Sequence, residues 1–182
     1  MKSIMKKNIF IAASLFVSLV TFAQMQIDLK TVSYVDPLKY IGRWYQISHN
    51  QLPFEPANCL CAQQTLGLNT DGTLSVYNSC RKDSVTGDLF EIRGFAVNDD
   101  VSSNSKFAVD FNLPKKGQYW IIGLAADYSW AVVSDPSRRS LYVLSKTPTL
   151  ANDDYQKAVL EAATQLDISK LKMTDQNQCQ YP

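Results

Sequence analysis

Between Arg43 and Ser145 the apolar residues fall in short runs, rich in β-branched and aromatic side chains and separated by turn residues. That pattern predicts an antiparallel sheet, barrel or sandwich. Eight runs stand out, at about 43–49, 60–68, 73–81, 88–97, 105–112, 118–125, 128–134 and 139–145. Asn69-Thr70-Asp71-Gly72 suits a tight hairpin loop between the second and third. Alternation is clearest at Phe107, Val109 and Phe111, which face one way while Ala108 and Asp110 face the other. Such a sheet must cover its apolar face. Eight up-and-down strands do so by closing into a barrel that can hold one small ligand, with a filled sandwich as the alternative. Residues 152–166 then carry Tyr155, Val159, Ala162 and Leu166 at helical spacing, after Pro148 and with Asp153 and Asp154 in the first turn. This predicts one amphipathic helix packed on the outside of the barrel. The fold expected is all-β, an eight-stranded barrel with a single C-terminal helix.

The start of the chain changes the picture of where this barrel lives. Lys2, Lys6 and Lys7 precede an apolar run from Ile9 to Val20 and a small-residue site ending at Ala23. This reads as a secretory signal peptide over residues 1–23, leaving one domain over 24–182. The run is about 12 residues, short of the roughly 20 that a membrane span needs. No cysteine follows it, so the usual site for lipid attachment in an exported bacterial lipoprotein is missing. A periplasmic or secreted protein without a lipid anchor is expected; association with the outer membrane through peripheral contact stays open.

Charge removes one class of partner. The chain has 18 Lys and Arg against 17 Asp and Glu, a net of +1. Cleavage after Ala23 takes away three lysines and leaves 15 against 17, or −2. With no basic stripe, nucleic acid is not an expected partner.

All four cysteines, Cys59, Cys61, Cys80 and Cys179, follow the leader and would meet an oxidising compartment, so two disulfides are expected. Zinc is the competing reading of Cys59-x-Cys61, but the spacing is one short of a zinc knuckle and Cys179 is remote. No metal and no cofactor are predicted.

Tyr40-Ile41-Gly42-Arg43-Trp44-Tyr45, Ala126-Asp127-Tyr128 and Leu144-Ser145-Lys146-Thr147-Pro148 together resemble the motifs of the lipocalin family, particularly its bacterial and apolipoprotein D-like branch. The first stretch resembles the family's Gly-x-Trp signature at the first strand. The second lies near its Thr-Asp-Tyr turn between strands six and seven, and the third resembles its third motif. The resemblance implies that Gly42, Trp44, Asp127, Tyr128 and Lys146 are structural. An arginine of the family lies across the tryptophan at the closed end; here Lys146 would do so over Trp44, keeping a cation–π contact but losing the flat guanidinium. The resemblance also joins Cys59 to Cys179. If the hairpin is centred on Thr70 and Asp71, Cys61 and Cys80 face each other on adjacent strands, close enough for the second bond. Taking Leu60, Ala62, Gln64 and Leu66 as inward, Cys59 and Cys61 then point outward.

Alternation and the family's inward positions give the expected cavity wall: Tyr40, Leu60, Ala62, Gln64, Phe107, Val109, Phe111, Trp120, Ile122, Tyr142 and Leu144. The expected mouth is Leu52-Pro53-Phe54-Glu55-Pro56. The resemblance implies a carrier or store of a small apolar ligand, a fatty acid or lysophospholipid, in envelope lipid transport or maintenance. The protein is expected to be a monomer or weak dimer. Retinoids, sterols or a tetrapyrrole would suit the same wall. A lipid-modifying enzyme on the same fold is an alternative, for which the sequence offers little. His49 is the only histidine and reads as an exposed residue at a strand end, and no carboxylate pair shares the inward parity. No catalytic residue is therefore named. A protein-interaction module with a filled barrel is the third reading.

Overall fold

The computed structural model describes residues 28–50 and 56–182. The expected leader and positions 52–55 of the expected mouth lie outside the described residues. Every predicted run forms a strand within two residues of its expected limits: β1 Gly42–Asn50, β2 Cys59–Leu68, β3 Leu74–Lys82, β4 Leu89–Asn98, β5 Lys106–Asp110, β6 Gly117–Leu124, β7 Trp130–Ser134 and β8 Leu141–Ser145. The helix α2 covers Asn152–Ala163, and its last turn carries on to Leu166, whose N–H donates to the Ala162 carbonyl. Two short elements add to the prediction. One turn of helix, α1 at Pro37–Tyr40, starts at Pro37 under an Asp36 cap. A short strand, β9 at Leu171–Met173, pairs with β1.

Antiparallel pairing runs in order from β2 to β8, then through β1 back to β2, where Trp44 lies opposite Gln64. The sheet is therefore a closed eight-stranded barrel with β9 as an added strand. Its wall has a core on each side. Tyr40, Trp44, Leu66, Val76, Phe107 and Ile121 belong to the inner one. Ile47, Ile122, Val132 and Val143 belong to the outer one, beneath Ala158, Ala162 and Leu166 of α2. Gly123 lets the helix approach: a Cβ there would stand 2.8 Å from Glu161 Cγ and 3.2 Å from Val132.

The β2–β3 hairpin differs from the expected one, with consequences for both disulfides. Leu68 pairs with Leu74, so the loop is centred on Asp71, whose Oδ1 accepts from the Thr73 N–H and hydroxyl. Further along, the register shifts between Leu60 and Gln63, a bulge in which Cys61 takes a φ of +55°. Cys61 and Ala62 together stand opposite Cys80 there, and the turned backbone at Cys61 directs its side chain elsewhere. Its N–H donates to Asp175 O, and its sulfur bonds Cys179. Cys59 is left to bond Cys80, a diagonal neighbour on β3. The observed pairs, Cys59–Cys80 and Cys61–Cys179, replace the expected Cys59–Cys179 and Cys61–Cys80. Leu60 falls opposite Arg81, whereas Leu66 falls opposite Val76 of the inner core; an odd step along β3 separates these positions. Leu60 is thus turned from the inner face, because one inserted residue reverses side-chain parity.

The same stretch shows how the barrel is completed. β1 pairs with β2 only through Gly42–Tyr45, and with β9 through Ser48–Asn50. Into the gap between β1 and β2 comes the C-terminal tail. Thr174 N–H donates to Ile47 O, and the Gln176 amide donates to both Gln46 O on β1 and Ala62 O on β2. Tyr181 packs edge-on against Tyr45, and Arg43 donates to Pro182 O.

Candidate ligand cavity

One end of the barrel is sealed at the start of β1. Gly42 adopts φ +98°, a conformation favourable only to glycine, and it brings Trp44 inside, where the ring is fully buried. The indole N–H donates to Tyr40 O at 2.7 Å. Lys146 lies over the ring at 4.1 Å and donates to Tyr40 O and Ile41 O at 3.1 and 2.7 Å. The ammonium thus replaces much of its water with two carbonyls and a ring face, and burial pushes its pKa down to about 8. At the turn before β7, Tyr128 adopts φ +63°, and Asp127 accepts from the Ser129 N–H and hydroxyl. The Tyr128 hydroxyl accepts from Asp36 N, tying this turn to α1.

Above the seal a void is lined by Tyr40, Gln64, Phe107, Val109 and Tyr119 together with Leu66, Leu74, Val76 and Ala96. Its volume is about 10 Å³, room for roughly one water. A hydrogen-bonded bar of polar groups crosses it. The Tyr40 hydroxyl meets that of Tyr119 at 2.7 Å, and Tyr119 donates to Gln64 Oε1 at 3.1 Å. Burial pushes both phenols above their ordinary range, with the neighbouring Tyr119 adding to the effect at Tyr40.

Of the expected wall, Tyr40, Gln64, Phe107 and Val109 line this void, and Phe111, Tyr142 and Leu144 belong to the same inner cluster. Ala62 is buried and shares the parity of Gln64. Trp120 and Ile122 do not belong to it. They pack in the outer core toward α2, with Lys106 over the Trp120 ring, while Tyr119 and Ile121 face inward. The whole of β7 and most of β6 are covered on both sides, so alternation is invisible there. His49 also differs from expectation: it is buried, opposite Tyr142, and the two rings stack at 6.4 Å. Sequence reasoning misses Leu74, Val76 and Ala96, although Leu74-x-Val76 opposite the inward Leu66 carries the signal. It misses Tyr119 through the parity error on β6.

Comparison with known proteins agrees with this architecture. The family model of a lipocalin-like domain matches residues 35–176. Temperature-induced lipocalin-1 of Arabidopsis thaliana is 32% identical over 159 residues, covering 82% of this chain and 84% of its own. Mouse apolipoprotein D is 32% identical, with 79% and 78% covered, and the outer membrane lipoprotein Blc of Escherichia coli K12 is 31% identical, with 76% and 78% covered. Among solved structures, insecticyanin from the tobacco hornworm Manduca sexta superposes with a TM-score of 0.68 at 21% identity, over 85% of this chain and 89% of that one, a likeness of fold. A family model over most of the chain and relatives above 30% identity thus identify the family, and the chain belongs to the lipocalins.

Proposed function

We propose that the protein carries or stores a small apolar ligand in the barrel, a fatty acid or lysophospholipid, in the lipid traffic of the cell envelope. The observation that carries this reading is a largely apolar inner wall with one end sealed by Trp44 and Lys146. Lipocalins bind small hydrophobic ligands, which supports it. Burying about 12 methylenes yields roughly 10 kcal/mol gross, and association costs reduce that to roughly micromolar affinity with loose shape selectivity. The two disulfides fit an oxidising compartment, so the protein is read as exported after removal of residues 1–23. Catalysis is not part of this reading.

One observation favours a second reading, a filled barrel whose outer face binds another protein. The void lined by Tyr40, Gln64 and Tyr119 is about 10 Å³, whereas ligand pockets measure about 300–1,000 Å³. Under the first reading the wall therefore separates on binding, and the bar from Tyr40 to Gln64 is the part that yields. Native mass spectrometry of the protein taken from its cells decides between them. A co-purifying lipid, with a fluorescent fatty acid saturating at one per chain, is the expected result; an empty protein that takes up no fatty acid supports the filled barrel.

A further inference from the structure

On β3 the inner face reads Leu74, Val76, Asn78: two aliphatic residues of the inner core, then an amide. Asn78 lies opposite Gln64 of the void on one side and Ile92 on the other. Its Oδ1 is buried and has no hydrogen-bond partner among the described residues. Gln64 beside it already accepts from Tyr119, so the polar bar leaves this amide out. Leaving a buried acceptor unsatisfied is destabilising, a cost that an aliphatic residue at this position would avoid.

We propose that Asn78 is a specificity-determining residue, and that the barrel prefers an acyl ligand carrying a hydroxyl partway along its chain, which hydrogen-bonds the Asn78 amide. The inference rests on the lipid-binding reading above and names the ligand class. A hydroxyl suits the position because it both donates and accepts, and so satisfies either end of an amide. Depth sets where on the chain it belongs. Asn78 is four residues from the end of β3 at Lys82, about 13 Å along the strand, the reach of roughly eight to ten methylenes. A carboxylate at the mouth would then bring a mid-chain hydroxyl level with Asn78.

The test is a set of titrations with stearic acid and a mid-chain hydroxystearic acid, displacing the same fluorescent fatty acid from wild-type protein, Asn78→Leu and Asn78→Ala. Wild type should bind the hydroxy acid about tenfold more tightly than stearic acid, and both variants should lose that preference while holding stearic acid at least as well. Melting curves should show Asn78→Leu no less stable than wild type. Equal binding of the two acids by wild type, as when a water satisfies the amide, overturns the inference and leaves the lipid reading intact. A preference that survives in both variants also overturns it, by placing the hydroxyl elsewhere. Binding of neither acid overturns the lipid reading and this inference together.

Discussion

The wall of the barrel is built in two ways. β6, β7 and β8 stand between two cores, so that all five residues of β7 are buried and Ile121 and Ile122, adjacent in sequence, are both sequestered on opposite faces. β4 has only the interior to face, and it alternates, with Phe95 and Val97 exposed and Ala96 between them buried. A strand covered twice is held by burial on either face; one covered once is held by half its side chains and by its neighbours. The same difference governs which positions can be read from sequence and how strongly a substitution acts.

The largest effects should come from the doubly covered side. Ile121→Ala and Ile122→Ala should each lower stability by about 2–5 kcal/mol, the usual range for emptying a buried isoleucine. Fatty-acid titration then separates them: Ile121→Ala should alter affinity, and Ile122→Ala should not. Equal effects on binding would show that the two cores communicate. Gly123→Val should cost about 1–3 kcal/mol, since the new side chain meets α2 and Val132, and denaturant melts with helix-sensitive circular dichroism would measure it.

A smaller effect should separate the inner face by pH. Tyr40 and Tyr119 have pKa values raised in the folded barrel, so their contribution is complete below the unfolded value of about 10 and is lost as pH climbs above it. Lys146 acts in the opposite sense. Its pKa is lowered to about 8, so charge burial opposes folding below that pH, and the opposition fades as pH rises toward the unfolded value near 10.5. Stability should therefore hold or rise between pH 8 and 10 and fall beyond it, and Tyr119→Phe should flatten the fall. Chemical denaturation across pH 7–11 measures both. Smallest of all should be Phe95→Ser on the exposed face of β4, within about 0.5 kcal/mol by the same melts. A larger loss would mean that this face is covered in solution.

The legible parts of the molecule are those where water marks one face. Phe107, Val109 and Phe111 lie beside exposed or half-exposed neighbours, and alternation puts them correctly on the inner face. On β6 the sequence Trp120-Ile121-Ile122 has no polar residue to show which side is wet, and the parity expected for Trp120 is the wrong one of two. Bulges are the other obstacle. Those near Cys61, between Gln46 and Ser48, and between Ile121 and Gly123 each reverse the facing of the residues beyond them, and only the last has a compositional sign, Gly123. The expected disulfide pairing fails for that reason. The burial of His49 is hidden in the sequence because its cover comes from strand pairing with β8 and β9, which proximity to a strand end does not reveal.

The tail that fills the gap between β1 and β2 has a consequence for the order of events. Gln176 bridges the first two strands of the barrel, and Cys179 bonds Cys61 across 118 positions, yet both follow every strand of the barrel in the order of synthesis. A chain still being made can pair β2 through β8 in sequence and join β1 to β2 at Gly42–Tyr45, but the rest of that seam stays unbridged until the tail segment has emerged. Completion of the seam then waits on docking of this segment and on thiol oxidation, which takes seconds to hours. Until that moment Cys61 waits without its partner beside Cys59 and Cys80, which are already within reach of each other.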